Sequence, residues 1–293
     1  MSQAAAHFNL CIVQPAGFVH SLGLLDAALY FKYQFERLGA RVEVSKNRLV
    51  KRAVNLVFGA HLGFDQALTR DYSCVIVNLE QLGDGGAQLS PAYLSLLKHT
   101  PVIDYDPAHG ALYDAQCGEA PVVSFGHAPY LAGAPCTAED LARRPIDLLF
   151  FGSVNARRQA WFRRIEATGR RVSVLNTAVY GPERDSIITQ AKAVLNVHHY
   201  DSARFEQVRA FQVLSLGTPL VSERAQASQP AEAFDVCSLW FDEASLESFF
   251  RDEFLSPLYF DVAARALQVF PEADRKSTRL NSSHEWISRM PSS

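Results

Sequence analysis

DLLFFGSVNARRQAWFRRI, residues Asp147–Ile165, sets an apolar run against a glycine and then two arginines. The run Ile146–Gly152, IDLLFFG, is too short for a helix of its own and reads as a buried strand. Gly152 permits close backbone approach where that strand ends. From Ala156 the apolar residues fall at helical spacing, and the pattern stops at Gly169 as a helix does before a C-terminal glycine. Such a turn aims the N–H groups and positive dipole end of its helix at whatever lies beyond the strand, an arrangement that binds phosphate. Arg157 and Arg158 add guanidiniums that can hold phosphate oxygens in pairs. The competing reading is a solvated helix face, since Arg163, Arg164, Arg170 and Arg171 make the whole region basic.

The same alternation extends in both directions. Upstream, strands are expected at Phe8–Val13, Arg41–Ser45, Val54–Gly59, Cys74–Glu80, Pro101–Asp106 and Pro121–Gly126, with helices at Leu22–Gly39, Ser90–His99 and Ala108–Ala115. Downstream, strands at Arg171–Leu175, Ala193–His199, Pro219–Glu223 and Cys237–Phe241 alternate with helices at Pro182–Ala191 and Ala203–Gly217, and terminal helices start near Ala244. Strands separated by helices argue for parallel sheets with covered faces. The pattern breaks only in AGAPCTAEDLARRP, where a single helical turn is expected at Ala138–Ala142. The expected fold class is therefore α/β, with two Rossmann-like domains facing across a cleft. Residues 1–131 form the first domain, 132–146 a linker and 147–273 the second domain. Ligands are expected at the carboxyl ends of the strands.

The final stretch, 274–293, reads as an in-frame translation of a sequencing-library adapter and is set aside, which leaves the native C-terminus open. The net charge of −3 becomes −5 once its four basic and two acidic residues are removed. An acidic body argues against nucleic acid as a partner. Five scattered cysteines without a CxxC pair suggest neither a zinc site nor a disulfide framework. With no transmembrane segment and no secretion signal in view, a cytoplasmic setting is expected.

A second stretch, HYDSARFEQVRAFQVLSLGTPLVSE, runs from a strand end through a helix to Gly217-Thr218-Pro219 and a new strand. With FFGSVNARRQ before it, this resembles the nucleotide-sugar-dependent glycosyltransferases of the GT-B fold, group 1-like. Their second domain carries a strand, glycine and basic residues, and later an acidic helix closing in A-x-G-x-P-V-V. AGFVHS and LGARVEV resemble the opening βαβ unit of that fold more loosely. The resemblance implies a glycosyltransferase that moves a sugar from a nucleotide diphosphate sugar to a hydroxyl of a glycan, lipid-linked or other acceptor. It implies no cofactor beyond that co-substrate and no metal. Arg158 then falls where the family places a basic residue on the donor diphosphate, beside Gly152 and Arg157, and Ser153 where a second arginine is common. Gln212 stands where many members have a glutamate on the ribose hydroxyls, and the paired upstream glutamate falls on Arg204. The nearest acid is Glu206.

Glu206 and Arg209, three apart, share one helix face and form either an ion pair or part of the donor site. His198 and His199 end a strand and point to opposite faces, which suits one of them, His198, to the donor and makes joint metal binding unlikely. For the acceptor, a base is needed near the reacting hydroxyl, and His20 in the first βα loop and His109 after PVIDY are the candidates. Glu80, ahead of a glycine-rich loop, and Asp106, near Asp104, are candidate acceptor contacts. Two rival readings share the fold: a non-transferase enzyme such as a nucleotide-sugar epimerase, and a catalytically inactive nucleotide-sugar-binding protein.

Overall fold

Apolar strands alternating with helices have one stable arrangement, a parallel sheet with both faces covered, because each crossover returns its helix to a face. Both halves of the chain adopt it. The computed structural model describes residues 5–113, 120–175 and 178–280, and the chain divides into two units after Ser124. The expected helix end at Asp114–Ala115, Cys117 and the last thirteen residues of the adapter-like tail lie outside the described residues.

The first unit contains β1 (His7–Ile12), α1 (Leu25–Arg37), β2 (Arg41–Lys46), β3 (Val54–Phe58), β4 (Cys74–Val77), α2 (Pro91–His99), β5 (Val102–Ile103) and α3 (Gly110–Tyr113). The sheet order is β2-β1-β3-β4-β5, with every pair parallel. β3 and β4 are buried along their whole length, as central strands with two covered faces must be. α1 lays Phe31 and Phe35 on this sheet, Phe35 stacking on Phe8 with ring centroids 4.4 Å apart.

Two polar residues interrupt the apolar strands. Asn9 and Asn55 face each other across β1 and β3, both fully buried. Asn9 Nδ2 donates to Asn55 Oδ1 at 2.8 Å and to the Arg48 carbonyl at 2.8 Å, while Ser45 Oγ donates to Asn9 Oδ1 at 2.8 Å. Asn55 Oδ1 also accepts from Val50 N at 2.8 Å, and its Nδ2 donates to the Ser73 carbonyl at 3.0 Å. The pair thus stitches three strands to the connection entering β3.

The second unit contains α4 (Ala138–Ala142), β6 (Leu148–Phe151), α5 (Ala156–Ala167), β7 (Val172–Leu175), α6 (Pro182–Ile188), β8 (Val194–Asn196), α7 (Gln207–Ser215), β9 (Leu220–Glu223), α8 (Glu232–Cys237), β10 (Leu239–Phe241), α9 (Leu246–Ser248) and α10 (Pro257–Leu280). The order β10-β9-β8-β6-β7, again all parallel, is the first sheet's order with its strands counted afresh. Its core joins Phe150, Phe241, Phe249, Phe250 and Phe254.

Several boundaries differ from the sequence reading. Pro121–Gly126, expected as a strand, makes only an isolated bridge from Val122 to Asp104. Pro121 has no N–H to give, and the first four residues of the stretch are exposed or half-buried, Val122 at 49%, with burial starting only at Phe125 where the pairing has ended. The segment 132–146, read as a linker, lies inside the second unit. Its helical turn, α4, begins with a Thr137–Asp140 capping box and buries Leu141 in the second core. Arg144 fastens the same segment by donating to the carbonyls of Ala191 and Gly217, each at 2.9 Å. Among the described residues, no helix is long and apolar enough to cross a membrane.

Replacing Asn55 by leucine, which has its shape and none of its hydrogen bonds, leaves Val50 N–H without its acceptor. The expected cost is about 1–3 kcal/mol, read as a lower urea midpoint at unchanged m-value.

Candidate functional site

In a doubly wound sheet the connections leave in opposite directions at one point, and the crevice there is open at the carboxyl ends of two neighbouring strands. In the second unit those strands are β6 and β8. The turn after β6 carries Gly152 and Ser153, and the turn after β8 carries Val197, His198 and His199. Gly152 has φ +118°, a conformation that favours glycine, and a Cβ there would meet Arg209 Nη2 at 2.9 Å. Asn155 caps α5, accepting from Arg158 N at 3.0 Å, and its Nδ2 donates to the His199 carbonyl at 2.7 Å.

Arg158 is only 2% exposed. Its Nε donates to the Val197 carbonyl at 2.8 Å, Nη1 to the Ser153 carbonyl at 2.7 Å and Nη2 to Glu206 Oε1 at 2.5 Å. One guanidinium therefore joins both turns of the crevice to the start of α7. Burial pushes its pKa down to about 10, with the Glu206 carboxylate working the other way.

Arg157 makes a two-pronged pair with Glu223, donating from Nη1 to Oε2 at 2.9 Å and from Nη2 to Oε1. Glu223, at the end of β9, is buried, and its Oε2 also accepts from His198 N at 3.0 Å. Arg209 reaches back from α7 to Asn196 Oδ1 at 2.5 Å, to the Phe151 carbonyl at 3.2 Å and to Glu206 Oε2. Burial by itself would raise the Glu206 pKa, but the Arg209 and Arg158 guanidiniums hold it below the usual glutamate value.

Beside this cluster, Gln212 Nε2 donates to Asp185 Oδ1 at 2.9 Å, an oxygen that also accepts from Arg184 Nη2 at 3.0 Å. Two buried nitrogens, His198 Nδ1 and Arg209 Nε, have no hydrogen-bond partner among the described residues. His198 is wholly buried, and its Nε2 lies 2.8 Å from Ser228 Oγ. Burial, aided by the Arg157 and Arg158 charges, depresses its pKa. His199 turns the other way, its Nδ1 3.5 Å from Arg158 Nη1. The two histidines face different partners, as adjacent residues with opposed side chains do.

The structure thus brings Gly152, Ser153, Arg157, Arg158, His198, Glu206 and Arg209 together, with Gln212 on the flank. Reading the sequence missed Glu223, Asn155, Asn196, Arg184 and Asp185. Asn155 carried a legible signal, an asparagine directly before a helix. Glu223 had only its place at a strand end, and Asp185 had none.

The acceptor candidates in the first unit are not one constellation. His20 is exposed on the 3₁₀ turn Val19–Leu24, its ring 5.5 Å from that of Phe18 in an edge contact. Glu80 lies 3.4 Å from His61 Nε2. Asp106 caps the turn Pro107–His109 by accepting from Ala108 N at 2.9 Å. His109 departs from its expected part as a base. It is fully buried, its Nε2 accepts from Leu82 N at 3.2 Å, and its Nδ1 therefore carries the proton given to Asp104 Oδ1 at 2.9 Å. Neither nitrogen is left to take a proton from an acceptor. Asp104 in turn accepts from Asn78 Nδ2 at 2.9 Å, and Tyr93 donates to Asn78 Oδ1 at 2.9 Å, which closes a structural knot.

No family model matches the chain. Among curated proteins it is 25% identical to the uncharacterized protein L140 of Acanthamoeba polyphaga mimivirus over 169 residues, 54% of this chain. The chain spans about half the length of that curated relative, 51%. Among solved structures it is similar to a glycosyltransferase from Rickettsia africae, with TM-score 0.53, 8% identity and coverage of 95% of this chain and 98% of that one. Anabaena HepE in complex with UDP and glucose gives TM-score 0.54, 13% identity and coverage of 95% and 100%. WaaG, a glycosyltransferase involved in lipopolysaccharide biosynthesis, gives 0.52, 13%, 94% and 100%. The fold is of the GT-B type. Identities this low show the fold and no more.

Two outcomes follow from the burial of these groups. Arg158→Ala leaves the Val197 and Ser153 carbonyls and one oxygen of Glu206 without their donor, while Arg209 still holds the other, so unfolding should cost about 1–3 kcal/mol less than in the parent protein, measured by chemical denaturation. His198 is kept neutral when folded and gains a proton on unfolding. Its contribution to stability is complete above roughly pH 6.5 and declines as pH falls below that value. Between pH 7 and pH 5 the parent should therefore lose more stability than His198→Gln, measured as the difference in urea midpoints.

Proposed function

We propose that the chain is a glycosyltransferase that takes its sugar from a nucleotide diphosphate donor bound by the second unit at the β6–β8 crevice. The observation that carries this reading is the convergence of Arg157, Arg158 and Arg209 on that crevice beside the Gly152 turn. In the transfer, the bond from the sugar's anomeric carbon to the diphosphate oxygen breaks and one from that carbon to the acceptor oxygen forms. Negative charge then grows on the departing diphosphate, where fixed guanidiniums and N–H dipoles lower the barrier most. Gln212, linked to Asp185, offers hydrogen bonds for sugar or ribose hydroxyls. With His109 committed to Asp104 and Leu82, His20 is the histidine left to take the proton of the acceptor hydroxyl, which belongs to a glycan, a lipid-linked or another acceptor. The reading requires no metal and no further cofactor, and places the reaction in the cytoplasm. The complex of HepE with UDP and glucose supports a nucleotide-sugar donor for a chain of this fold.

One observation favours a second reading, a nucleotide-sugar-binding protein without turnover. Each of the three arginines already holds a carboxylate, Glu223 or Glu206, and Gln212 is uncharged.

Thermal shifts with UDP, GDP, ADP and CDP test the donor site. One nucleotide should raise the melting temperature, since ligand at a hundred times its Kd adds about 2.7 kcal/mol of stability. Arg157→Gln and Arg209→Gln should weaken that rise. No rise with any nucleotide, in folded protein, would overturn the donor site. Release of the free nucleoside diphosphate only when an acceptor is added supports transfer, and binding without release supports the second reading.

A further inference from the structure

Glu206 closes a fork between two guanidiniums. Its Oε1 accepts from Arg158 Nη2 at 2.5 Å and its Oε2 from Arg209 Nη1. It stands in the N-cap position of α7, yet its side chain makes no capping bond to that helix. A glutamate there would ordinarily serve the helix's own N–H groups. This one is turned toward the arginines instead.

Both guanidiniums are held without it. Arg158 is anchored by the carbonyls of Val197 and Ser153, and Arg209 by Asn196 Oδ1 and the Phe151 carbonyl. Both lie over the Phe150 ring, at 5.0 and 5.4 Å from its centroid. Gly152 leaves Arg209 Nη2 room that any Cβ would take. Withdrawing the carboxylate would therefore leave two fixed, buried positive charges facing one point. The Arg209 Nε, buried and unpartnered among the described residues, is a donor this arrangement does not use.

Glu206 is also the member of the trio best placed to leave. Its side chain is 18% exposed, against 3% for Arg158 and 10% for Arg209. Its backbone, at φ −83° and ψ 77°, lies outside the helical turn, so its side chain can swing without unwinding α7.

A phosphoryl group offers what the carboxylate offers, oxygens in a plane facing two donors, with more charge and a further oxygen. We propose that Glu206 is a resident anion: it neutralises the Arg158–Arg209 pair and gives way when a phosphoryl group of a diphosphate enters the crevice. The inference rests on the proposed function for the identity of the anion. It changes the part in the donor site first expected of Glu206, which is then a competitor of the ligand's phosphate. The physical role of such a group is to keep two like charges, buried side by side, from repelling each other, at the cost of some affinity for the incoming anion.

The test is isothermal titration of the full chain with inorganic pyrophosphate and, in parallel, with the four nucleoside diphosphates. Glu206→Gln removes the competing charge and should bind pyrophosphate about tenfold more tightly than the parent, the scale of one charge-assisted hydrogen bond. Adding Arg209→Gln to that variant should abolish the gain. Glu206→Asp, too short to reach both guanidiniums, should shift affinity in the same direction and carries the test if Glu206→Gln does not fold. Equal or weaker binding in these variants overturns the inference, as does a lack of pyrophosphate binding in all of them. Tighter pyrophosphate binding with no nucleoside diphosphate bound supports the resident anion and overturns the donor reading. Nucleoside diphosphate binding that no variant tightens overturns the resident anion and leaves the donor reading standing.

Discussion

The second unit's site depends on one buried guanidinium. A crevice at a switch point is made by two turns that diverge, and nothing in a parallel sheet joins them, since the ladder of hydrogen bonds ends where the strands end. Arg158 supplies most of that join, with Asn155 on the His199 carbonyl and Arg157 on the His198 carbonyl beside it. It takes a carbonyl from the turn after β6, a carbonyl from the turn after β8 and a carboxylate from the start of α7. Lysine could not replace it, because a point charge lacks the flat fork that meets three acceptors in three directions. The partial burial of Arg157 and Arg209, and the positive-φ turn at Gly152, lie around this brace.

Buried charge pairs are poor sources of net stability, because desolvation offsets most of their attraction. Their presence in number at one crevice therefore needs a reason other than stability. Arg157 with Glu223, and Arg158 and Arg209 with Glu206, fix positions to within a hydrogen bond while leaving positive charge in excess. Three guanidiniums share two carboxylates in this trio of pairs. An excess of fixed positive charge is what an anionic ligand needs, and what an apolar core of the same shape could not offer.

The fold was legible because its signals are periodic. Short apolar runs and amphipathic helices alternate from Phe8 to Phe241, and glycines mark where Leu148–Phe151 and the helix after it end. Two things were not legible. Pro121–Gly126 has the composition of a strand, but whether a run buries a face is settled by what packs on it, and Val122 stays 49% exposed. The stretch around Thr137–Pro145 has the composition of a linker, yet Leu141 and Arg144 make it part of the second unit through contacts with residues far along the chain. For the candidate site, strand ends and helix starts singled out Gly152, Arg157, Arg158, His198, Glu206 and Arg209, which lie together at one crevice. Sequence could not say which of the arginines would be buried, nor that Glu223 would be partner to Arg157, because the pairings that decide this cross 39 to 66 residues and obey no local spacing.

The two units share one strand order and differ in how their polar groups are used. In the first, Asn78, Asp104, His109 and Tyr93 satisfy one another and the backbone of Leu82, and His109 has both nitrogens engaged. A network closed on itself holds loops in place and has little to offer a ligand. In the second, three guanidiniums share two carboxylates, and Arg209 Nε is left without an acceptor among the described residues. A buried donor without a partner is costly, so each one calls for an explanation. Position at a strand end is common to both networks, so position alone does not distinguish a binding site from a structural knot. The balance of charge separates the two: the first network closes on itself, while the β6–β8 crevice keeps one guanidinium more than its carboxylates, and that excess is what supports the anion site proposed above.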